Sequence, residues 1–335
     1  MLSKITVSPS PHISQPHSTR SIMLDVIIAL LPAMVAAYVF FRTRALVITG
    51  VCVATCIVSE WLCNVIRKKP NSLGDLSAVV TGIILAFSVP PALPVWAAVI
   101  GSAFAIVIGK MVFGGLGANI FNPAMAGRAF IAACFGMVMT TWTVPATIDP
   151  AMPVTSATGT VASTQATPLA WSKQAIKGKA DVKIVTAQFG ATLTGEVGGC
   201  LGETSAIALL IGALYLVTRR TINPHIPLAV LSSAFVIATV CCLIKFDAHM
   251  PPWLHLTTGG MLLGAFFIAT DPVTAPLSTK GMWIFGMGVG GLVMLIRVVG
   301  EYPEGVMYAI LIMNAFTPLI DRFCKLVPAG GKPHA

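Results

Sequence analysis

Charge is what this sequence has least of. Only 10% of its 335 residues are Asp, Glu, Lys or Arg, against about 25% in a soluble globular chain, whose surface has to face water. So few charges cannot clothe a water-facing surface, and the bilayer has to take that part. The bases outnumber the acids, 21 to 12. They stand singly or in short groups between apolar runs and form no stripe or patch, which argues against nucleic acid. Organised cysteine is missing too. Eight cysteines are present, but there is no C-x-x-C pair and no cluster-binding spacing. Cys52, Cys56, Cys63, Cys134, Cys241 and Cys242 lie in or beside apolar runs and read as small core residues. The histidines are scattered near loop ends and give no metal spacing. No G-x-G-x-x-G turn enters a soluble βαβ unit, and no cleavable signal is legible ahead of the first apolar run.

Apolar length is what the chain has in abundance. Hydrophobic residues make up 56%, and the mean hydropathy is +0.86. A run of about 20 apolar residues crosses roughly 30 Å of hydrocarbon. By that measure the sequence predicts an all-α integral membrane protein of about ten transmembrane helices. They fall near 22–41, 45–66, 76–91, 94–113, 124–141, 203–218, 226–246, 255–270, 281–299 and 304–320. The segments 76–91 and 255–270 are short, flanked by Pro or Asp-Pro, and read as broken helices. Lys4, Arg20, Arg67, Lys68, Lys69, Arg219, Arg220, Lys280, Arg322, Lys325 and Lys332 gather on one side, and only Arg42, Arg44 and Lys245 occupy short loops on the other. This bias puts both termini in the cytoplasm and 142–202 outside.

The expected organisation follows. A cytoplasmic segment (1–21) leads to a first five-helix repeat (22–141), an external loop (142–202), a second five-helix repeat (203–320) and a cytoplasmic tail (321–335). The halves echo each other. LAFSVPPALP (85–94) ends the third helix and FFIATDPVTAP (266–276) the eighth. A glycine-rich helix with one basic residue follows each, Lys110 or Arg297, and then an Asn-bearing stretch, FNPAMAGRAF (121–130) or MNAFTPLIDR (313–322). Five helices per half is an odd number, so the second repeat should be inverted relative to the first.

The candidate chemistry sits at helix ends. Thr167-Pro168 reads as a helix start, Thr at the N-cap and Pro in the first turn, with Thr167 extended and its hydroxyl presented outward. A phosphate esterified there would meet free N–H groups and the positive end of the helix dipole. Gly114, Gly115 and Gly117 precede Asn119, Asn122 and Pro123. Glycines let a backbone approach a flat ring, and Asn offers both a donor and an acceptor to its edge. A glycine loop leading into a helix at Pro123 is the plainer reading of the same residues. Charges deep in a span cost about 2.5–3.5 kcal/mol and so need a partner or a function. Glu60, Lys110, Arg128, Asp271 and Arg297 are the deepest, with Asp25 and Asp75 near helix starts. Asp271, beside a helix break, is the leading ion-pathway candidate, with Glu60 and Asp75 after it. For Arg128 and Lys110, a structural ion pair and a contact to a bound phosphate are both open.

The runs STRSIMLDVIIALLPA (18–33), VTGIILAFSVPPALPVW (80–96), KMVFGGLGANIFNPAMAGRAF (110–130), ATPLA (166–170) and ATDPVTAP (269–276) resemble the D subunits of Rnf-type electron-transport complexes. Those are related to the B subunits of sodium-pumping NADH:quinone oxidoreductases. The resemblance implies a multi-pass protein of the bacterial inner membrane, in an ion-translocating ferredoxin:NAD⁺ oxidoreductase that couples redox to Na⁺ or H⁺ transport. It implies FMN joined by a phosphoester to the last threonine of an S/T-x-A-T sequence, installed by a flavin transferase. Here that is Thr164-Gln165-Ala166-Thr167, with Gln165 where the family usually has Gly. Thr155-Ser156-Ala157-Thr158 is a second match, which makes Thr158 the runner-up. It further implies a non-covalent riboflavin against Asn119, Asn122, Gly115 and Gly117, with Arg128 a candidate phosphate contact. NAD and iron–sulfur binding then fall to partner subunits, one of them a second flavin subunit. The alternatives are a subunit of the sodium-pumping quinone reductase, or a channel or secondary transporter with no redox role.

Overall fold

The computed structural model describes residues 18–142, 167–178, 186, 189–203, 205–244, 249–300, 302 and 304–325. Regular structure among them is entirely helical. In chain order the helices are α1 (Thr19–Phe41), α2 (Thr43–Ile66), α3 (Ser77–Phe87), α4 (Val95–Ile106), α5 (Pro123–Cys134), α6 (Gly136–Met139), α7 (Pro168–Ile176), α8 (Phe189–Thr194), α9 (Ala206–Thr218), α10 (His225–Ile244), α11 (Pro252–Thr257), α12 (Met261–Leu263), α13 (Thr279–Val298) and α14 (Val306–Phe323). A π-helical turn, Val107–Met111, carries α4 onward, and another, Gly264–Ile268, carries α12 onward.

Five of these, α1, α2, α10, α13 and α14, are long and apolar enough to cross a membrane. The chain is a multi-pass membrane protein. The other five expected spans correspond to shorter or interrupted helices. α3 has 11 residues, about 16 Å at 1.5 Å per residue, roughly half the hydrocarbon thickness. It stops where Pro90 and Pro91 follow. The expected span 255–270 is broken at Thr258–Gly260 between α11 and α12, with Gly259 at φ 65°. Arg297 satisfies the carbonyls freed by that break. Its Nη1 donates to His255 O at 2.6 Å and its Nη2 to Thr258 O at 3.0 Å. Irregular backbone at membrane depth is tolerated only when protein supplies its hydrogen bonds, as here.

Side-chain size sorts the faces. α1 buries Ala29, Ala33 and Ala37 and exposes Leu24, Leu31 and Val35. Lipid is as apolar as leucine, so helices in a bilayer associate through close packing of small residues, and the large side chains can face outward. Gly212 of α9 lies on the Ala29 carbonyl of α1, and Gly286 and Gly290 of α13 lie against Ala229, Val230 and Ser233 of α10. Helix α2 packs on α4 and α4 on α5. Likewise α10 packs on α13 and α13 on α14, while α1 meets α9.

The short segments form the centre. Every residue of α3 except the half-buried Val79 is buried, as are all three of α12. α3 begins beside Lys110, which donates to Ser77 Oγ, and ends at Phe87 against Gly202. The α12 segment runs the other way. Gly260, at its start, lies beside Glu203 and Glu304, and Asp271, just past its end, is bonded to Asn122. Two helix ends therefore point into each end of the bundle.

Candidate functional site

At one end, helix breaks border an open pocket, about 700 Å³ with its mouth included, lined by Ser77, Thr81, Lys110, Asn119, Asn122, Phe266, Phe267 and Asp271. Gly114, Gly115 and Gly117 adopt φ of 137°, 111° and 91°, values open to glycine at little cost. They turn the chain so that Asn119 and Asn122 are both buried. Asn122 is the N-cap of α5. Its Oδ1 accepts from Met125 N at 3.2 Å and its Nδ2 donates to Asp271 Oδ2 at 3.2 Å. Asp271 also accepts from Val273 N at 3.1 Å and from Thr274 Oγ1 at 3.2 Å. Asn119 Nδ2 donates to Phe121 O at 3.1 Å, while its Oδ1 accepts no hydrogen bond among the described residues. A buried acceptor left open costs about 1–3 kcal/mol unless a ligand or water fills it. The pocket thus combines aromatic and aliphatic walls with a few polar groups on one side, as small-molecule sites do.

Behind this pocket lies a closed ion pair. Lys110 Nζ stands 2.6 Å from Glu60 Oε2 and 2.6 Å from Ser77 Oγ. Ser72 Oγ donates to Glu60 Oε1 at 2.6 Å, and Ser77 Oγ donates to Asp75 Oδ1 at 2.5 Å. Asp75 also accepts from Ser77 N at 2.8 Å, so it caps the start of α3. Glu60 is 0% exposed and Lys110 1%. The π-helical turn delivers Lys110 to this position, since one widened turn rotates the residues after it.

At the other end, Thr167 is the N-cap of α7, with Pro168 in its first turn, as the sequence predicts. The side chain is not presented outward, however. Thr167 is 7% exposed, and its Oγ1 accepts from Ala170 N at 3.1 Å. The cap bond turns the hydroxyl back over its own helix. It lines a cleft of about 420 Å³ with Trp142, Thr192, Glu203, Gly259 and Glu304. A second cavity, about 530 Å³, shares Trp142 and Glu304 and adds Arg128, Tyr302, Met307 and Tyr308. Lys173 of α7 donates to the carbonyls of Gly300 and Tyr302, which ties the helix to the α13–α14 connection.

Arg128 is the charge centre of this end. Its Nη2 is hydrogen-bonded to Glu304 Oε2 and lies 3.7 Å from Glu203 Oε1 and 3.7 Å from Cys200 Sγ. Cys200, Glu203 and Glu304 bring their ligand-type atoms within 4.8 Å of one another. The guanidinium already supplies the positive charge a metal would bring there. Glu203 and Glu304 escaped the sequence reading because each precedes an apolar helix, where an acid ordinarily reads as a solvated helix start. A pair of acids each next to a glycine-rich break was the available signal.

The structure groups the sequence candidates in an unexpected way. Asp271, singled out for ions, shares its pocket with Asn119 and Asn122, singled out for a ring. Arg128 is at the opposite end from them, beside the Thr167 cleft. Glu60 and Lys110 are partners of each other. Thr158, Thr164, Gln165 and Ala166 lie outside the described residues.

A helical, multi-pass protein with polar clusters at broken helices belongs to the class of membrane proteins that house a site inside the bundle. The family is defined further by likeness. The chain belongs to the NQR2, RnfD, RnfE family, whose sequence profile matches residues 6–330. It is 44% identical over 321 residues to the D subunit of the Na(+)-translocating ferredoxin:NAD(+) oxidoreductase complex of Acetobacterium woodii, covering 96% of this chain and 94% of that one. It is 40% identical to the D subunit of the proton-translocating ferredoxin:NAD(+) oxidoreductase complex of Clostridium ljungdahlii, covering 97% and 96%. The D subunit of an ion-translocating oxidoreductase complex of Stutzerimonas stutzeri is 39% identical, covering 92% and 91%.

Proposed function

We infer that this chain is the D subunit of an ion-translocating ferredoxin:NAD⁺ oxidoreductase, a membrane component that relays electrons within the complex. Likeness to D subunits along almost the whole chain carries this reading. It favours that complex over the sodium-pumping quinone reductase and over a redox-free transporter.

Covalent FMN is assigned to Thr167 and riboflavin to the Asn119–Asn122 pocket. Such flavins, when bound, supply one- and two-electron redox chemistry. The residues present fit both. Thr167 borders a cleft at the first turn of α7, with Arg128 close by to meet a phosphate. Trp142, Tyr302 and Tyr308 line the adjoining cavity with flat apolar surface. At the other end, the open Asn119 Oδ1 is an acceptor without a donor, set among apolar walls. Asp271, in that same pocket, is assigned to the ion path, where its charge would favour a cation.

The antiparallel course of α3 and α12, and the matched packing in the two halves, support an inverted repeat. With the lysine and arginine bias, this puts both termini in the cytoplasm and the Thr167 cleft on the outer side. There a flavin transferase would reach residue 167 before the α7 cap closes. The remaining subunits, a second flavin carrier and iron–sulfur proteins, supply the NAD and ferredoxin chemistry.

Thr167→Val tests the assignment, since it keeps the β-branched shape and removes only the hydroxyl. The expected result is normal protein in the membrane, no covalent FMN by intact mass and no fluorescent band after denaturation. Thr158→Val should keep its flavin. The opposite pattern moves the site to Thr158, and an unmodified parent chain in the presence of its transferase removes the flavin from this loop.

A further inference from the structure

Beneath Thr167, two carboxylates share one arginine, and they are not equally satisfied. Glu304 is hydrogen-bonded to Arg128 and accepts the Gly260 N–H at 2.6 Å. Glu203 has a long contact from Cys200 N, 3.5 Å, to its Oε2 and an ion-pair contact from Arg128 Nη2, 3.7 Å, to its Oε1, and that buried Oε1 accepts no hydrogen bond among the described residues. Two carboxylates with oxygens within 4.8 Å repel, and burial away from water sharpens the repulsion, so a proton on one of them relieves both costs. Both line the cleft that Thr167 borders.

The titratable and charged groups near the pair come from several neighbouring elements. Among the described residues they are Arg128 from α5, Cys200 from the segment ahead of α9, Arg297 from α13, Tyr302 from the α13–α14 connection and Tyr308 from α14. Arg297 is committed to the His255 and Thr258 carbonyls. With both acids ionised, the two arginines and two carboxylates balance. An extra negative charge arriving in the cleft then meets no further cation among its described lining residues.

We propose that Glu203 and Glu304 are a proton-holding pair, which binds one proton when the flavin on Thr167 gains an electron and releases it when that electron leaves. The proposal rests on the assignment of flavin to Thr167. The electron comes from the neighbouring carriers of the complex. The proton comes from the bulk solvent: an O–H bond of a hydronium ion breaks as an O–H bond forms at Glu203 Oε1, water is left, and on reoxidation the proton returns by the reverse step. Glu203 is the acceptor because it has the spare lone pair, and Glu304 and Arg128 are positioning residues that hold it. The cleft stays electrically balanced through the transfer, which keeps the electron from being trapped or excluded by a fixed charge.

The test uses the assembled complex, with FMN on Thr167 checked by intact mass in the parent, Glu203→Gln, Glu203→Asp and Glu304→Gln. Spectroelectrochemical titration should show the midpoint potential of this flavin falling between about pH 6 and 9 by about 59 mV per tenfold change in proton activity, the value for one proton per electron. Glu203→Gln should flatten that slope and Glu203→Asp should retain it. Redox-difference infrared spectra should contain a carboxylic-acid carbonyl band that Glu203→Gln removes. Glu304→Gln should also flatten the slope, which keeps the test open if the Glu203 variant fails to assemble. Flavin present on Thr167 with the same slope and band in the parent and both Gln variants overturns the proposal alone. Flavin absent from Thr167 in the parent overturns the assignment and the proposal together.

Discussion

At the Asn119 end of the bundle, one lysine meets one glutamate, and serine hydroxyls complete both; at the Thr167 end, one arginine faces two carboxylates and an oxygen stays open. The first arrangement is closed. It neutralises charge that burial would otherwise make expensive, and it leaves the neighbouring pocket to Asn119, Asn122 and Asp271. The second leaves one carboxylate oxygen open, so its acid can exist with or without a proton. Buried charge therefore serves opposite ends here, a fixed brace on one side and an adjustable charge on the other.

The largest effect is expected of Lys110→Met. It strands Glu60 at 0% exposure, and removal of one partner of a buried pair costs about 3–5 kcal/mol. Folded protein extracted from the membrane should fall steeply, and the double change Lys110→Met with Glu60→Met should recover most of it. A single variant as stable as the parent in thermal unfolding would show that Glu60 is not a closed partner. Arg128→Gln should cost less, about 1–3 kcal/mol, because an acid beside the cleft can take up a proton. Its deficit should widen as pH rises, since the folded state then holds a proton that the unfolded state has lost. A deficit independent of pH would mean that the two ends behave alike.

Asp271→Asn keeps the Asn122 contact and removes one charge. The complex should assemble, and ion uptake in proteoliposomes should slow by roughly tenfold, equivalent to about 1.4 kcal/mol. Unchanged uptake would leave Asp271 with its turn-capping bonds to Val273 and Thr274 alone. The smallest effect is expected for Asn119→Ala. One ligand hydrogen bond is worth about 0.5–1.5 kcal/mol, so extractable riboflavin should bind several-fold more weakly while covalent flavin is untouched. Stoichiometric riboflavin in that variant would move the ring elsewhere.

What the sequence determined by itself was whatever depends on neighbours along the chain. Scarce charge and long apolar runs require a bilayer, because nothing else solvates such a surface. Thr167-Pro168 and Asn122-Pro123 mark helix starts, because a capping side chain and a proline act within one turn. Pro90-Pro91 and Asp271-Pro272 mark helix ends for the same local reason. The tertiary structure alone decided which distant charges meet. Glu60 and Lys110 are 50 residues apart, and Arg128 and Glu304 are 176 apart. Nothing local distinguishes a paired buried glutamate from a solvated one. It decided as well that Thr167 is buried at the border of a cleft, since α7 is tied down through Lys173 onto the α13–α14 connection. And it placed Asp271 in the pocket of Asn119, because α12 runs antiparallel to α3 and brings its broken end to that side. Desolvation is set by everything packed around a group, so only the packed bundle settles which charges are fixed and which can change.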